Sequence, residues 1–152
     1  LDVNVPILWN SNMYMSGESM NLLKDLVDIW LPDFKYWSNE CAKRLSNVGG
    51  KLGYRETVTR NHLIAAKHGD MIIRHLVLPN HLECDTKPIL KWISENIGGK
   101  VLVNIMGQYR PDHLVLERPE KYRDIMRRPR NEELSEAYSY AEKLGIVYRP
   151  VS

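Results

Sequence analysis

Short apolar runs alternating with helix-patterned segments predict an α/β chain built on a parallel sheet. Three observations carry this. Four runs, at residues 5–9, 27–31, 71–78 and 101–106, are short, rich in β-branched or aromatic residues, and almost continuous in their hydrophobicity. Such runs suit strands covered on both faces better than half-solvated hairpins. Segments between them repeat apolar residues at helical spacing, and the resulting order β-α-β-α-β-α-β calls for right-handed crossovers between parallel strands.

The elements follow in order. After the first run, residues 17–26 place Met20, Leu23 and Leu26 or Val27 on one helical face, with Ser16 as N-cap. Residues 54–68 carry Val58, Leu63, Ile64, Ala65 and Ala66 and end in Lys67-His68-Gly69. There the cations meet the negative end of the helix dipole, and glycine is expected to supply a left-handed stop. Asp85-Thr86-Lys87-Pro88 opens a third helix with a capping side chain and proline in the first turn. Its stripe is Ile89, Ile93 and Ile97 beside Leu90, closed by Gly98-Gly99. Asn131-Glu132-Glu133 caps a last helix with stripe Leu134, Ala137, Tyr138, Ala141 and Leu144, stopped at Gly145. The chain reads as one domain, 1–152: β/α units over 1–113, a loop rich in Arg and Pro over 114–130, and a terminal helix over 131–145.

Four strands form either a small open sheet or an arc of a larger β/α barrel, whose eight-stranded form needs about 250 residues. The chain opens at Leu1-Asp2-Val3 with no initiating Met, which favours an arc and a piece of something longer. An arc leaves bare edge strands, so self-association through an edge is expected.

Composition narrows the function classes. The 152 residues are 43% hydrophobic and 26% charged, a globular balance. Lys and Arg number 21 against 19 Asp and Glu, and this near-balance gives little drive toward generic nucleic-acid binding. No apolar run approaches the roughly 20 residues of a membrane helix. Cys41 and Cys84 make no disulfide framework, so a reducing, cytoplasmic setting is expected.

Parallel α/β sheets bind ligands at the carboxyl ends of their strands. The first run is followed by Asn10, Ser11, Asn12 and Tyr14, the second by Asp33 and Lys35, and the fourth by Gln108, Tyr109 and Arg110. Asp33 and Lys35 are two apart and share a strand face, either to hold a ligand with hydroxyl, carboxylate and amine groups or to neutralise one another. Arg74, inside Ile-Ile-Arg-His-Leu-Val-Leu, needs an anionic partner, which is either a ligand carboxylate or Asp33. His75 should face the opposite way, into the helix layer. His62 and His68 read as surface or cap residues on a helix. His81-x-x-Cys84 has ligand-like spacing without a second pair, so a loop histidine and a small buried thiol are expected there and no residue is assigned to a metal. Arg123, Arg127, Arg128 and Arg130 near Tyr122 read as a solvated face or an interface.

Three stretches together resemble a known family: Asp28-Ile-Trp-Leu-Pro-Asp33-Phe-Lys35-Tyr36, Ile72-Ile73-Arg74-His75-Leu-Val-Leu-Pro79-Asn80-His81, and Val103-Asn104-Ile105-Met106-Gly107-Gln108-Tyr109-Arg110-Pro111. They are similar to the later strands of radical S-adenosylmethionine enzymes, in particular the pyruvate formate-lyase activating enzyme-like group and its PflX branch. The resemblance covers about residues 5–113. It implies a partial barrel of six β/α units, of which this chain supplies strands three to six. It also implies S-adenosylmethionine and a [4Fe-4S] cluster in the intact enzyme, which cleaves the cofactor reductively to a 5′-deoxyadenosyl radical. The substrate is then a glycine of a partner protein or a small molecule. The family's C-x-x-x-C-x-x-C loop and Gly-rich segment are not in this sequence, so the chain alone is expected to hold no cluster and to be inactive. Carried over by position, Asp33 and Lys35 line the ribose and methionyl portion and Arg74 approaches the carboxylate. Asn10, Ser11, Gln108 and Tyr109 border the cofactor, and Asn12, Tyr14 and Arg110 face the substrate. Two alternatives stand beside this reading: an independent α/β metal-dependent enzyme using His81, Cys84 and His113, and a non-catalytic binding module.

Overall fold

A computed structural model describes residues 5–151. Five parallel strands lie side by side in chain order: β1 (Leu8–Ser11), β2 (Ile29–Pro32), β3 (Asp70–Leu76), β4 (Val101–Met106) and β5 (Tyr148–Val151). The connections carry helices α1 (Gly17–Leu23), α2 (Asn39–Ser46), α3 (Tyr54–His68), α4 (Lys87–Asn96), α5 (Leu114–Glu117) and α6 (Asn131–Lys143). A sheet whose spatial order equals its chain order keeps crossovers of one hand on one face, as in an arc of a β/α barrel. The α/β class and parallel pairing are as the sequence predicts, with one strand more. Among the described residues no helix is long and apolar enough to cross a membrane.

Burial shows which face the helices cover. In β3, Met71, Ile73 and His75 are buried, while Ile72, Arg74 and Leu76 are half-buried; β4 repeats this with Val101, Val103 and Ile105 against Leu102, Asn104 and Met106. The expectation of strands covered on both faces is therefore corrected. Apolar residues occupy both faces, but only one has a helical layer over it among the described residues. The core lies between that layer and the sheet, around the fully buried Trp30, Phe34, Ile73, Ile89, Ile93 and Ile105.

The ends of the elements have local causes. At the start of β1 (Leu8), Ile7 N donates to the Asp28 side chain, and Ile7 O accepts from Asp28 N and Ile29 N. β2 starts at Ile29 because Val27 N still donates to Leu23 O at the close of α1. Ser16 caps α1 as expected, its hydroxyl accepting from Ser19 N. Gly145, at φ 68°, is the left-handed stop after α6. Asp85 does not cap α4. It lies in a π-helical turn, Leu82–Thr86, that runs straight into that helix. The first turn of α6 is held by Glu133, whose carboxylate accepts from Arg130 N, rather than by Asn131.

Gly69 does not adopt the expected left-handed conformation; its φ is −173°. Glycine is needed there for close approach instead. A Cβ would sit 2.7 Å from Asp28 O and 3.0 Å from Val27 O, where the chain enters β3 beside β2. Backbone on both sides leaves nothing soft to yield. Gly69→Ala is expected to lower stability by about 1–2 kcal/mol, read as a shifted urea midpoint with unchanged slope, whereas Gly99→Ala, with open space around it, should be near neutral.

Candidate functional site

Register sets the first cluster. Asp33 continues β2 and bridges Arg74 of β3, so the two side chains are cross-strand neighbours on the half-open face. Arg74 Nε donates to Asp33 Oδ1 at 2.8 Å, and Arg74 Nη2 lies 2.6 Å from the same oxygen and donates to Asn10 Oδ1 at 2.6 Å. Lys35 Nζ stands 3.4 Å from Asp33 Oδ2, with its side chain 46% exposed. Asp33, Lys35, Arg74, Leu76, Met106 and Gln108 line one hollow of about 240 Å³ at the carboxyl ends of β2, β3 and β4. Acid, ammonium and guanidinium thus meet around one space. Arg74 is spent on Asp33 and Asn10, whereas the Lys35 ammonium and the Gln108 amide, whose Nε2 among the described residues reaches only the Met106 sulfur at 3.7 Å, keep capacity for a ligand.

The remaining predicted positions are placed as follows. Ser11 Oγ accepts from Met13 N and Asn12 Oδ1 from Tyr14 N, so both side chains close the turn after β1. Tyr14 lies away from the hollow. Its hydroxyl accepts from Gly50 N and its ring stacks on Tyr54. Tyr109 donates its hydroxyl to Ile125 O, tying down the segment before α6, and Arg110 is exposed. In the basic patch, Arg127 is bound to Glu133 and Asn80, and so serves the fold.

The histidines form a different picture from the one expected. His75 is buried in the helix layer as predicted, donating from Nδ1 to Phe34 O and accepting at Nε2 from Thr86. His62 is not a surface residue. It is fully buried against Phe34, and burial pushes its pKa down to about 4 against the raising effect of the Val58 carbonyl. His81 is buried too, while Cys84, expected to be a buried thiol, is exposed.

A second cluster forms around His81. His81 Nδ1 donates to Asp85 Oδ2 at 2.8 Å and Nε2 to Asp124 Oδ2 at 2.9 Å; Cys84 Sγ lies 3.4 Å from Nδ1. Desolvation lowers the His81 pKa, but the two carboxylates outweigh it and the net shift is upward. Asp124 is held down to about 2, burial being outweighed by the hydrogen bonds from Arg44 and His81. Cys41, on α2, joins His81, Cys84 and Asp85. His113 is exposed beside Glu117 and lies outside the group. Cys41 carried no signal in the sequence, since forty residues separate it from His81 and only the packing of α2 on the π-helical turn unites them.

No family model matches the chain. Over 150 residues it is 47% identical to the uncharacterized protein MJ0674 of Methanocaldococcus jannaschii, a match covering 97% of this chain and 42% of that protein. The chain therefore spans about two fifths of the length of the curated relative it matches. Among solved structures it is similar to a domain of pyruvate-formate lyase-activating enzyme from Bacteroides vulgatus, with a TM-score of 0.65 and 12% identity, over 93% of this chain and 79% of that one. At that identity the likeness is one of fold.

Proposed function

We propose that this chain forms one wall of an S-adenosylmethionine-binding cleft within a larger radical S-adenosylmethionine protein of the activating-enzyme-like type. The observation that carries the reading is the gathering of Asn10, Asp33, Lys35 and Arg74 at the strand ends of a sequentially ordered parallel sheet. The fold likeness to an activating-enzyme domain and the match to part of a longer relative support it.

The residues present fit part of this cofactor. The Lys35 ammonium suits the methionyl carboxylate, and Asp33 suits hydroxyl or ammonium donors through Oδ2, which faces Lys35 rather than Arg74. Arg74 acts as a positioning residue, fixing Asp33 and Asn10. Gln108 offers an amide to a ribose from the end of β4. The hollow of about 240 Å³ accommodates only part of a nucleoside-sized ligand, in keeping with one wall of a larger cleft. Bound beside its cluster, the cofactor supplies radical hydrogen abstraction. The chain's two cysteines do not make the family's three-thiolate loop, and cluster ligation is assigned to the rest of the larger protein. The hydrogen donor is assigned to a glycine of a partner protein or a small molecule, and the outer edge of β1, the first strand of the sheet among the described residues, to pairing with a further strand or a second copy.

Calorimetric titration of the chain with S-adenosylmethionine tests the reading. A Kd on the order of 10⁻⁴–10⁻³ M is expected for one wall, weakened about tenfold by Lys35→Met, a loss of about 1.4 kcal/mol. Lys35 is half exposed, so the variant should fold. Identical heats from the two proteins would remove the assignment.

A further inference from the structure

We propose that Cys41, His81, Cys84 and Asp85 bind a zinc ion as a closed, four-coordinate structural site. Each offers one donor atom, two thiol sulfurs, a ring nitrogen and a carboxylate oxygen, and all four lie within 4.8 Å of one another. Around a tetrahedral zinc the bond lengths of about 2.0–2.3 Å place ligand atoms roughly 3.3–3.8 Å apart. His81 Nδ1 already stands 3.4 Å from Cys84 Sγ and 2.8 Å from Asp85 Oδ2. Adjustments of about an ångström or less, within the reach of side-chain rotation, complete the geometry.

The surroundings are those of a metal site. Its two oxygen and nitrogen ligands are held from behind. Asp85 Oδ1 accepts from Trp37 N at 2.7 Å and Ser38 N at 2.9 Å, leaving Oδ2 to point into the cluster. His81 gives its outer nitrogen, Nε2, to Asp124, and Arg44 clamps that carboxylate with both terminal nitrogens. A carboxylate on the far nitrogen of a histidine fixes the ring and strengthens it as a ligand. The proton on Nδ1 occupies the position a cation would take. His81 and Asp85 side chains are only 4% and 2% exposed, whereas Cys84 is open to solvent and provides the entry path. Local backbone agrees: Cys84 and Asp85 sit in the π-helical turn that follows His81, a conformation found often at functional sites.

The donor chemistry selects the ion. Two thiolates with one imidazole and one carboxylate suit zinc, whereas magnesium and calcium require oxygen sets. Four protein ligands leave no position for water or substrate, which marks the site as structural rather than catalytic and weighs against the metal-dependent enzyme. Its effect is mechanical. Cys41 lies on α2 after β2, the other three ligands follow β3, and Asp124 lies in the segment after β4. The ion would fasten the connections after β2 and β3 to each other, and Asp124, behind His81, would tie in the one after β4.

The test begins with protein purified without chelators under reducing conditions. Elemental analysis is expected to give one zinc per chain. After stripping with EDTA, titration with cobalt(II) should give the visible bands of a tetrahedral ion and thiolate charge-transfer absorption, both displaced by zinc. Cys84→Ser, at an exposed position, should weaken zinc binding at least 100-fold while the chain stays folded by circular dichroism, and Asp124→Asn about 10–100-fold. Zinc well below stoichiometric together with no thiolate–cobalt band in the reduced wild-type protein would overturn the proposal. So would an affinity unchanged in Cys84→Ser, or a Cys41–Cys84 disulfide whose reduction restores no metal binding.

Discussion

Asp85→Ala is expected to cost about 3–5 kcal/mol of folding stability, the range for removing one partner of a buried ionic cluster. The carboxylate is 2% exposed and accepts hydrogen bonds from Trp37 N, Ser38 N and His81 Nδ1, and a longer one from Cys84 Sγ at 3.7 Å. Burial alone would raise its pKa, but the bonds from His81, Ser38 and Trp37 outweigh burial and lower it. The native state therefore prefers the ionised form, and that preference contributes stability above the ordinary aspartate range that is lost as the folded group protonates. Alanine leaves two backbone N–H groups and an imidazole without an acceptor where water enters poorly, at about 1–3 kcal/mol each before relaxation. Asp85→Asn keeps an oxygen for Trp37 and Ser38 and loses only the charge facing His81, so its cost should be about half as large. Urea unfolding in EDTA isolates these hydrogen bonds from any metal contribution. A midpoint for Asp85→Ala within error of wild type would refute the role given to this carboxylate.

The same residue shows where sequence reading stops. Asp85-Thr86-Lys87-Pro88 has the form of a helix start, and α4 does begin at Lys87. Local pattern cannot reveal that the aspartate side chain is claimed by backbone N–H groups 47 and 48 residues upstream. Strong periodicity was legible: α3 spans 54–68 as expected, and the stripe Ile89, Leu90, Ile93 and Ile97 is buried. α2 was not, because Asn39–Ser46 is mostly polar and only its ends, Ser38 as N-cap and Asn47 at φ 52°, signal a helix. β5 was hidden for a related reason. Four residues containing Pro150 read as a loop, and proline is tolerated because β5 is an edge strand.

The candidate site divides along similar lines. Asp33, Lys35, Arg74 and Gln108 were legible because each follows or interrupts an apolar run, and the parallel register carries such residues to one end of the sheet. Tyr14 and Tyr109 also follow strands, yet each is drawn off to a backbone partner, Gly50 N and Ile125 O. Sequence position gives the end of the sheet at which a residue emerges. Which way its side chain turns depends on loops whose packing is nonlocal.

Between pH 7 and 4.5 the chain is expected to lose about 2–3 kcal/mol of stability through His62, whose folded pKa of about 4 lies far below the ordinary 6.5. The sign follows from proton counts. In this range the unfolded chain takes up a proton at His62 and the folded chain does not, so falling pH favours unfolding. The ring is fully buried, packed 4.9 Å from Phe34 and edge-on to Trp92, with Nδ1 donating to Val58 O. Among the described residues Nε2 has no partner, so a second proton there would be a buried charge with no acceptor among them. His75 is shifted downward too, through burial first, and adds a loss of the same sign. His81 is shifted upward. Its contribution is complete below pH 6.5 and is lost as pH rises through the folded value, so it acts on the neutral and alkaline side and leaves the fall toward pH 4.5 to His62 and His75. Asp124 and Glu133, both held down to about 2, keep their full stabilisation above the ordinary carboxylate range and lose it as pH falls from there toward 2, so that at pH 4.5 this loss has only begun. His62→Met preserves bulk and contact with Phe34 while removing the titration. Urea midpoints should therefore differ little between variant and wild type at pH 7, and at pH 4.5 the variant should be the more stable by about 2 kcal/mol. Parallel pH profiles for the two proteins would place the acid-sensitive group elsewhere.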